Sequence, residues 1–265
     1  MTDPYPPRSS APAQAVTLMA GVTRALKRAV LSQLHPRMLF ALLLPFLITL
    51  LGAIVLVWLF WDPLTGWLER EVAGWSMVER ADQWLVAVGI ASLKLWLIPI
   101  AAVIILLPVS GLLGLVIAAL CVMPMVIGHL EHRDYAGLGR QGRHALAAGL
   151  WNAAWVSAAF AAGWLLTLPL WLIPPMALLL SVFWWAFAFS RMMRVDALVE
   201  HASPAERRVL DRRHNAGFWL LGFILALINL LPPAWLVLPV FSALVYAHYG
   251  LDALQRLRRE TVIEA

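Results

Sequence analysis

Leu39 to Trp61 reads LFALLLPFLITLLGAIVLVWLFW, with no Asp, Glu, Lys or Arg in it. The uncharged run begins at Met38, and its 24 residues make about 36 Å of α-helix against a hydrocarbon core of about 30 Å. Apolar and polar residues do not alternate along it, which excludes the strand of a transmembrane barrel. Trp58 and Trp61 close it as an interfacial belt. Three further runs, 84–128, 145–190 and 215–251, are of the same kind, and across all four the one charge is Lys94. The whole chain is 62% hydrophobic and 13% charged, whereas a soluble domain carries about 25% charged residues. These patterns exclude a soluble globular protein and predict an all-α, polytopic integral membrane protein.

The charges lie between these runs. Lys and Arg number five in 1–37, two in 62–83, three in 129–144, six in 191–214 and three in 252–265, and segment 62–83 also carries five acids. By the positive-inside rule 62–83 is external, and both termini are cytoplasmic. A net charge of +5 then speaks for orientation and for anionic lipid as a partner, and not for nucleic acid. The single cysteine, Cys121, excludes an internal disulfide and a thiolate zinc cluster.

Residues 1–15 are rich in Pro, Ser and Ala without the order of a cleavable signal peptide, and are expected to be a disordered tail. In 16–36 the apolar residues Leu18, Val22, Leu26 and Val30 recur at helical spacing while Arg24, Lys27 and Arg28 gather on another face, predicting an amphipathic interfacial helix. Residues 37–255 form the membrane domain and 256–265 a polar C-terminal tail. Run 84–128 must cross an odd number of times, which fits one long helix that protrudes from the bilayer, with kinks at Pro99 and Pro108, better than two spans. The last two runs each break at a double proline, Pro174–Pro175 and Pro232–Pro233. The arms 216–231 and 234–249 make about 24 Å of helix each, too short to cross, so the hairpins are expected to penetrate partly. In the first hairpin the longer arm, 145–168, leaves a full two-span crossing open. Small residues at Gly149, Ala153, Ser157 and Ala161, and at Ala154, Ala158 and Ala162, suit either packing within the subunit or a contact between subunits, and oligomerisation is expected.

Chemistry has few carriers. No glycine-rich phosphate loop and no Ser, His and Asp set converges by spacing, so no catalytic residue and no cofactor is expected. His129, Glu131 and His132 are close in sequence, but a third metal ligand is not evident, and no metal site is expected. Lys94 either snorkels to the outer interface beside Trp84 and Trp96 or guides an anion into a pore. Helix starts near Met176 and Ala234, just past the double prolines, would direct unpaired N–H groups into the membrane, where they either end a structural turn or meet an anion.

Three motifs carry a resemblance. His35–Pro36 with Pro45 nine residues on, Pro124 with Glu131 seven residues on, and the stretch ALINLLPPAWLVLPVFSALVYA containing Asn229 and Pro232 are similar to the CysZ-type sulfate permeases and their relatives in the etoposide-induced membrane protein superfamily. The resemblance spans about residues 17–255. It implies two long transmembrane helices, two partly penetrating hairpins, homo-oligomers in the bacterial inner membrane, and passage of a small inorganic anion such as sulfate. Family permeases place a Gly-Leu and an arginine pair shortly after the His-Pro; this chain has Arg37, Met38, Leu39 and Phe40. Arg37 is therefore either the remaining anion contact or a positive-inside anchor. The alternative function is a non-transporting membrane scaffold or assembly protein of the same fold.

Overall fold

The computed structural model describes residues 11–142 and 145–263. It is helical, with no strand among the described residues. The helices are α1 (Ala11–Gln33), α2 (Pro36–Ala73), α3 (Ser76–Ala87), α4 (Leu93–Arg133), α5 (Ala145–Thr167), α6 (Pro174–Leu198), α7 (Pro204–Ile228) and α8 (Leu238–Ile263). Short 3-10 turns at Leu168–Leu172 and Pro232–Leu236 link α5 to α6 and α7 to α8. By contacts the chain divides into two compact units: Met1–Leu42 with Val122–Ala265, and Leu43–Cys121.

Among the described residues, four stretches are long and apolar enough to cross a membrane: Pro36–Ala73, Leu93–Leu112, Ala145–Leu172 and Pro174–Leu198. Their apolar surfaces are largely uncovered, as lipid-facing helices require: Trp58 is 83% exposed, Leu166 81% and Leu172 86%. Both arms of the first hairpin are long and apolar enough, whereas α7 and α8 are long enough but carry charges along one half and are not apolar enough.

Several expected boundaries move. α1 begins at Ala11 and not at Val16, so 11–15 are helical, while 1–10 lie outside the described residues. Its buried face is Val22, Ala25 and Ala29, while Val30 of the expected stripe is half exposed, because α1 packs on α7 and α8. The polar stretch from 256 continues α8 to Ile263 and is no separate tail. The long helix starts at Leu93 and not at residue 84, since Trp84–Ala87 belong to α3. It then runs unbroken through Pro99, Pro108 and Pro124 to Arg133. The second hairpin's return helix starts at Leu238 and not at Ala234.

The break between α3 and α4 has a local cause. Gly89 takes φ of +81°, its N–H donates to Val86 O at 3.0 Å, and that of Ile90 donates to Leu85 O at 2.9 Å, a Schellman stop. Asp82 of α3 then caps α4, accepting from the Ser92 hydroxyl at 2.7 Å and from the Lys94 N–H at 3.3 Å. Leu68 of α2 packs with Ile98 and Ala102 of α4 in the same unit, with Trp61 and Leu64 alongside.

The other unit has its core between α6, α7 and α8. Phe218 and Tyr246 stack with an interplanar angle of 2°, and the Tyr246 hydroxyl donates to Phe218 O at 2.8 Å. α7 opens with a capping box, in which the Ser203 hydroxyl accepts from the Glu206 N–H and the Glu206 carboxylate accepts from the Ser203 N–H. At the first hairpin turn, the Thr167 hydroxyl donates to Gly163 O at 2.8 Å and accepts from the Trp184 and Trp171 indoles at 3.2 and 3.4 Å. Gly163 leaves room for this turn, since a Cβ there would lie 1.8 Å from the Trp184 ring.

Candidate functional site

α1 ends at Gln33, and His35 turns the chain into α2. Pro36 has no N–H to cap, and the Arg37 N–H donates to His35 Nδ1 at 3.3 Å. With Nδ1 accepting, neutral His35 carries its proton on Nε2, available to an acceptor. From α4, the His129 ring lies 4.6 Å from that of His35. Its Nε2 is buried with no partner, as are both polar atoms of the Gln33 amide. Burial first, and then the charges of His35, Arg133 and Arg37, hold the His129 imidazole below its ordinary value. The Arg37 guanidinium is exposed. The His-Pro turn thus gathers one exposed cation and imidazole N–H donors, groups that suit an anion.

The other candidates lie elsewhere. Lys94 stands in the first turn of α4, where its ammonium pairs with Glu79 at 2.5 Å. The hydrogen bond from Lys94 holds the Glu79 carboxyl below its usual range. Met176 is in the first turn of α6, but its N–H donates to Ile173 O at 2.9 Å. Ala234 is inside the 3-10 turn, and its N–H donates to Leu231 O at 2.9 Å. Both N–H groups expected to face the membrane unpaired are therefore spent on the turns themselves.

The motif residues divide by role. Pro45 and Pro124 lie within α2 and α4. Asn229 caps α7, and its carbonyl accepts from the Trp235 indole at 2.7 Å across the turn that begins at Pro232. Glu131 accepts from Arg140 at 2.6 and 3.2 Å and lies 3.9 Å from the buried His201 ring. Arg258 adds the next layer, donating to Glu206 at 2.8 Å, to Gly139 O at 2.8 Å and to His201 O at 2.7 Å. His132 turns away to Gly128 O at 2.7 Å, and no group of three metal-ligating side chains occurs among the described residues.

One cluster is invisible to sequence spacing. Ser32 Oγ lies 3.1 Å from His248 Nε2, Tyr135 contacts His248 Nδ1 at 3.4 Å, and the Tyr135 hydroxyl donates to Asp252 at 2.8 Å. Arg28 also donates to Asp252, at 3.0 Å. Ser32 and His248 are buried and spend their bonds on each other, so the cluster fastens α1 to α8. Each residue is unremarkable in its own stretch of chain; only folding brings them together.

Neither the curated proteins nor the solved structures give a match. The family described as Sulfate transporter CysZ/Etoposide-induced protein 2.4 matches residues 25–239. That span takes in the His-Pro turn, α2 to α7 and the second double-proline turn. The chain therefore belongs to this family, and is a transporter-like, multi-pass helical membrane protein.

Proposed function

We infer that the protein is a permease or channel-like conduit for sulfate or a related small inorganic anion in the bacterial inner membrane. The observation that carries this reading is family membership over residues 25–239. The His-Pro turn supports it with the exposed Arg37 and the unpartnered His129 Nε2 as anion contacts. No carboxylate lies within any of the four apolar runs, so a passive route is favoured over ion-coupled transport. Both termini are cytoplasmic, and the second hairpin, with its short uncharged arms, enters the bilayer partway. Ala154, Ala158 and Ala162 of α5 are exposed, which favours a homo-oligomer packed through this face.

The test is radiolabelled sulfate uptake into proteoliposomes of the purified protein, beside protein-free liposomes, with sulfite, chloride and phosphate as competitors. Saturable uptake inhibited by sulfite is expected. No uptake above the control, from protein shown to be folded and inserted, overturns the reading. It would favour the scaffold alternative, to which the neutralised Lys94 and the internally bonded Met176 and Ala234 N–H groups lend weight.

A further inference from the structure

A cavity of 480 Å³ opens between α1, α7 and α8 within one compact unit. Its position follows from the charge pattern. α7 is charged up to Arg213 and apolar from Ala216, and α8 is uncharged up to Leu251 and charged from Asp252. Arg213, Ala216, Asp252 and Arg256 all line the cavity, so it straddles the level at which both helices pass from apolar to charged. In a membrane protein that level is the headgroup region.

The lining is two-sided. Leu18, Leu210, Ala253 and Leu257 give it an apolar floor. Tyr249 reaches in beside Gly217, where a Cβ would lie 1.8 Å from the tyrosine hydroxyl, so the glycine is what admits the ring. On the polar side both acids are already engaged: Glu260 with Arg213 at 2.8 Å, and Asp252 with Arg28 at 3.0 Å. Arg256 lines the cavity with no hydrogen-bond or ion-pair partner among the described residues. His214 lies beside it, held below its ordinary value by burial and then by the charges of Arg256 and Arg213. With both acids paired, Arg256 carries the uncompensated charge of the lining, and an arginine fork matches the geometry of phosphate.

A free phosphate would use the arginine and leave the apolar floor wet, whereas an amphiphile uses both. We propose that this cavity is a binding site for an anionic glycerophospholipid of the cytoplasmic leaflet, with its phosphate on Arg256 and its glycerol and upper acyl carbons over Leu18, Ala253 and Leu257.

The experiment is native mass spectrometry of the full chain in detergent, titrated with phosphatidylglycerol and, separately, with phosphatidylcholine. Phosphatidylglycerol should bind more tightly than phosphatidylcholine. Arg256→Gln should weaken it about fivefold, the loss of one interfacial cation. Ala216→Trp, at an exposed position that fills the cavity without changing charge, should weaken it to a similar degree. Arg259→Gln, an exposed arginine outside the cavity lining, should leave it unchanged. Equal binding of the two lipids, an equal loss in the Arg259 variant, or displacement of the lipid by inorganic phosphate would each overturn the proposal.

Discussion

Arg37 is the residue through which the proposed anion contact can be tested. It is exposed, and its backbone is held by His35, so its substitution tests function with little cost to the fold. Arg37→Gln should lower the initial rate of sulfate uptake at subsaturating concentration about tenfold, the worth of one charge-assisted hydrogen bond. Unchanged uptake in a stably inserted variant would reduce Arg37 to a topological anchor. Arg258 stands at the opposite pole, since it serves structure: it ties Glu206, Gly139 and His201 together. Arg258→Met leaves a half-buried carboxylate and two carbonyls without their donor, and should cost about 2 to 4 kcal/mol by thermal unfolding in detergent. The sequence marks Arg37 and Glu131 through their motifs. It is silent on the His35–His129 contact and on the Ser32–His248–Tyr135–Asp252 cluster, because those partners are far apart in the chain and meet only when α1, α4 and α8 have assembled.

Among the elements, the long apolar helices were the most legible, because a run of uncharged residues longer than the bilayer admits few other structures. Their ends were less so. The stop at Gly89 needs a left-handed residue, and a glycine in an apolar run does not reveal whether it caps a helix or sits within one. Gly89→Ala forces a Cβ into that conformation at about 1 to 2 kcal/mol, and should speed amide exchange in Ser76–Ala87 while leaving α6 to α8 protected. α1 shows the other difficulty. Ala25 and Ala29 are covered, but alanine carries too little hydrophobic signal to mark a buried face, and the stripe drawn through leucine and valine shares Val22 with that face and leaves it at Val30.

For the whole molecule, two properties follow from where charge is placed. Lys27 and Lys94 are the only lysines in the chain, one on each expected side of the membrane. In spheroplasts a membrane-impermeant amine reagent should therefore modify Lys94 and spare Lys27 until the membrane is permeabilised, and the reverse pattern would invert the topology. The second property is acid lability. Burial holds His201 below its ordinary 6.5, so the unfolded chain binds that proton more readily than the folded one. Stability should therefore fall as pH drops below about 6.5. Burial pushes the Glu206 carboxyl up, but hydrogen bonds from Arg258 and Ser203 outweigh it and hold the group below 4.5. Its contribution is present above that value and is lost at still lower pH. Thermal unfolding in detergent should show a midpoint that is flat above neutrality and declines in two stages on acidification. A His201→Gln chain should show a smaller first stage, the remainder coming from His129 and His214, which burial also holds low.

The Thr167 turn has an optical consequence. The Trp164 and Trp171 rings lie 4.2 Å apart at an angle of 47°, and the Trp184 indole is held to the same threonine. Indole transitions this close and not parallel mix into exciton states of opposite rotational strength, which gives the first hairpin a circular-dichroism couplet of its own. The chain thus carries a built-in spectroscopic reporter of that turn, readable without a label against the background of its other tryptophans.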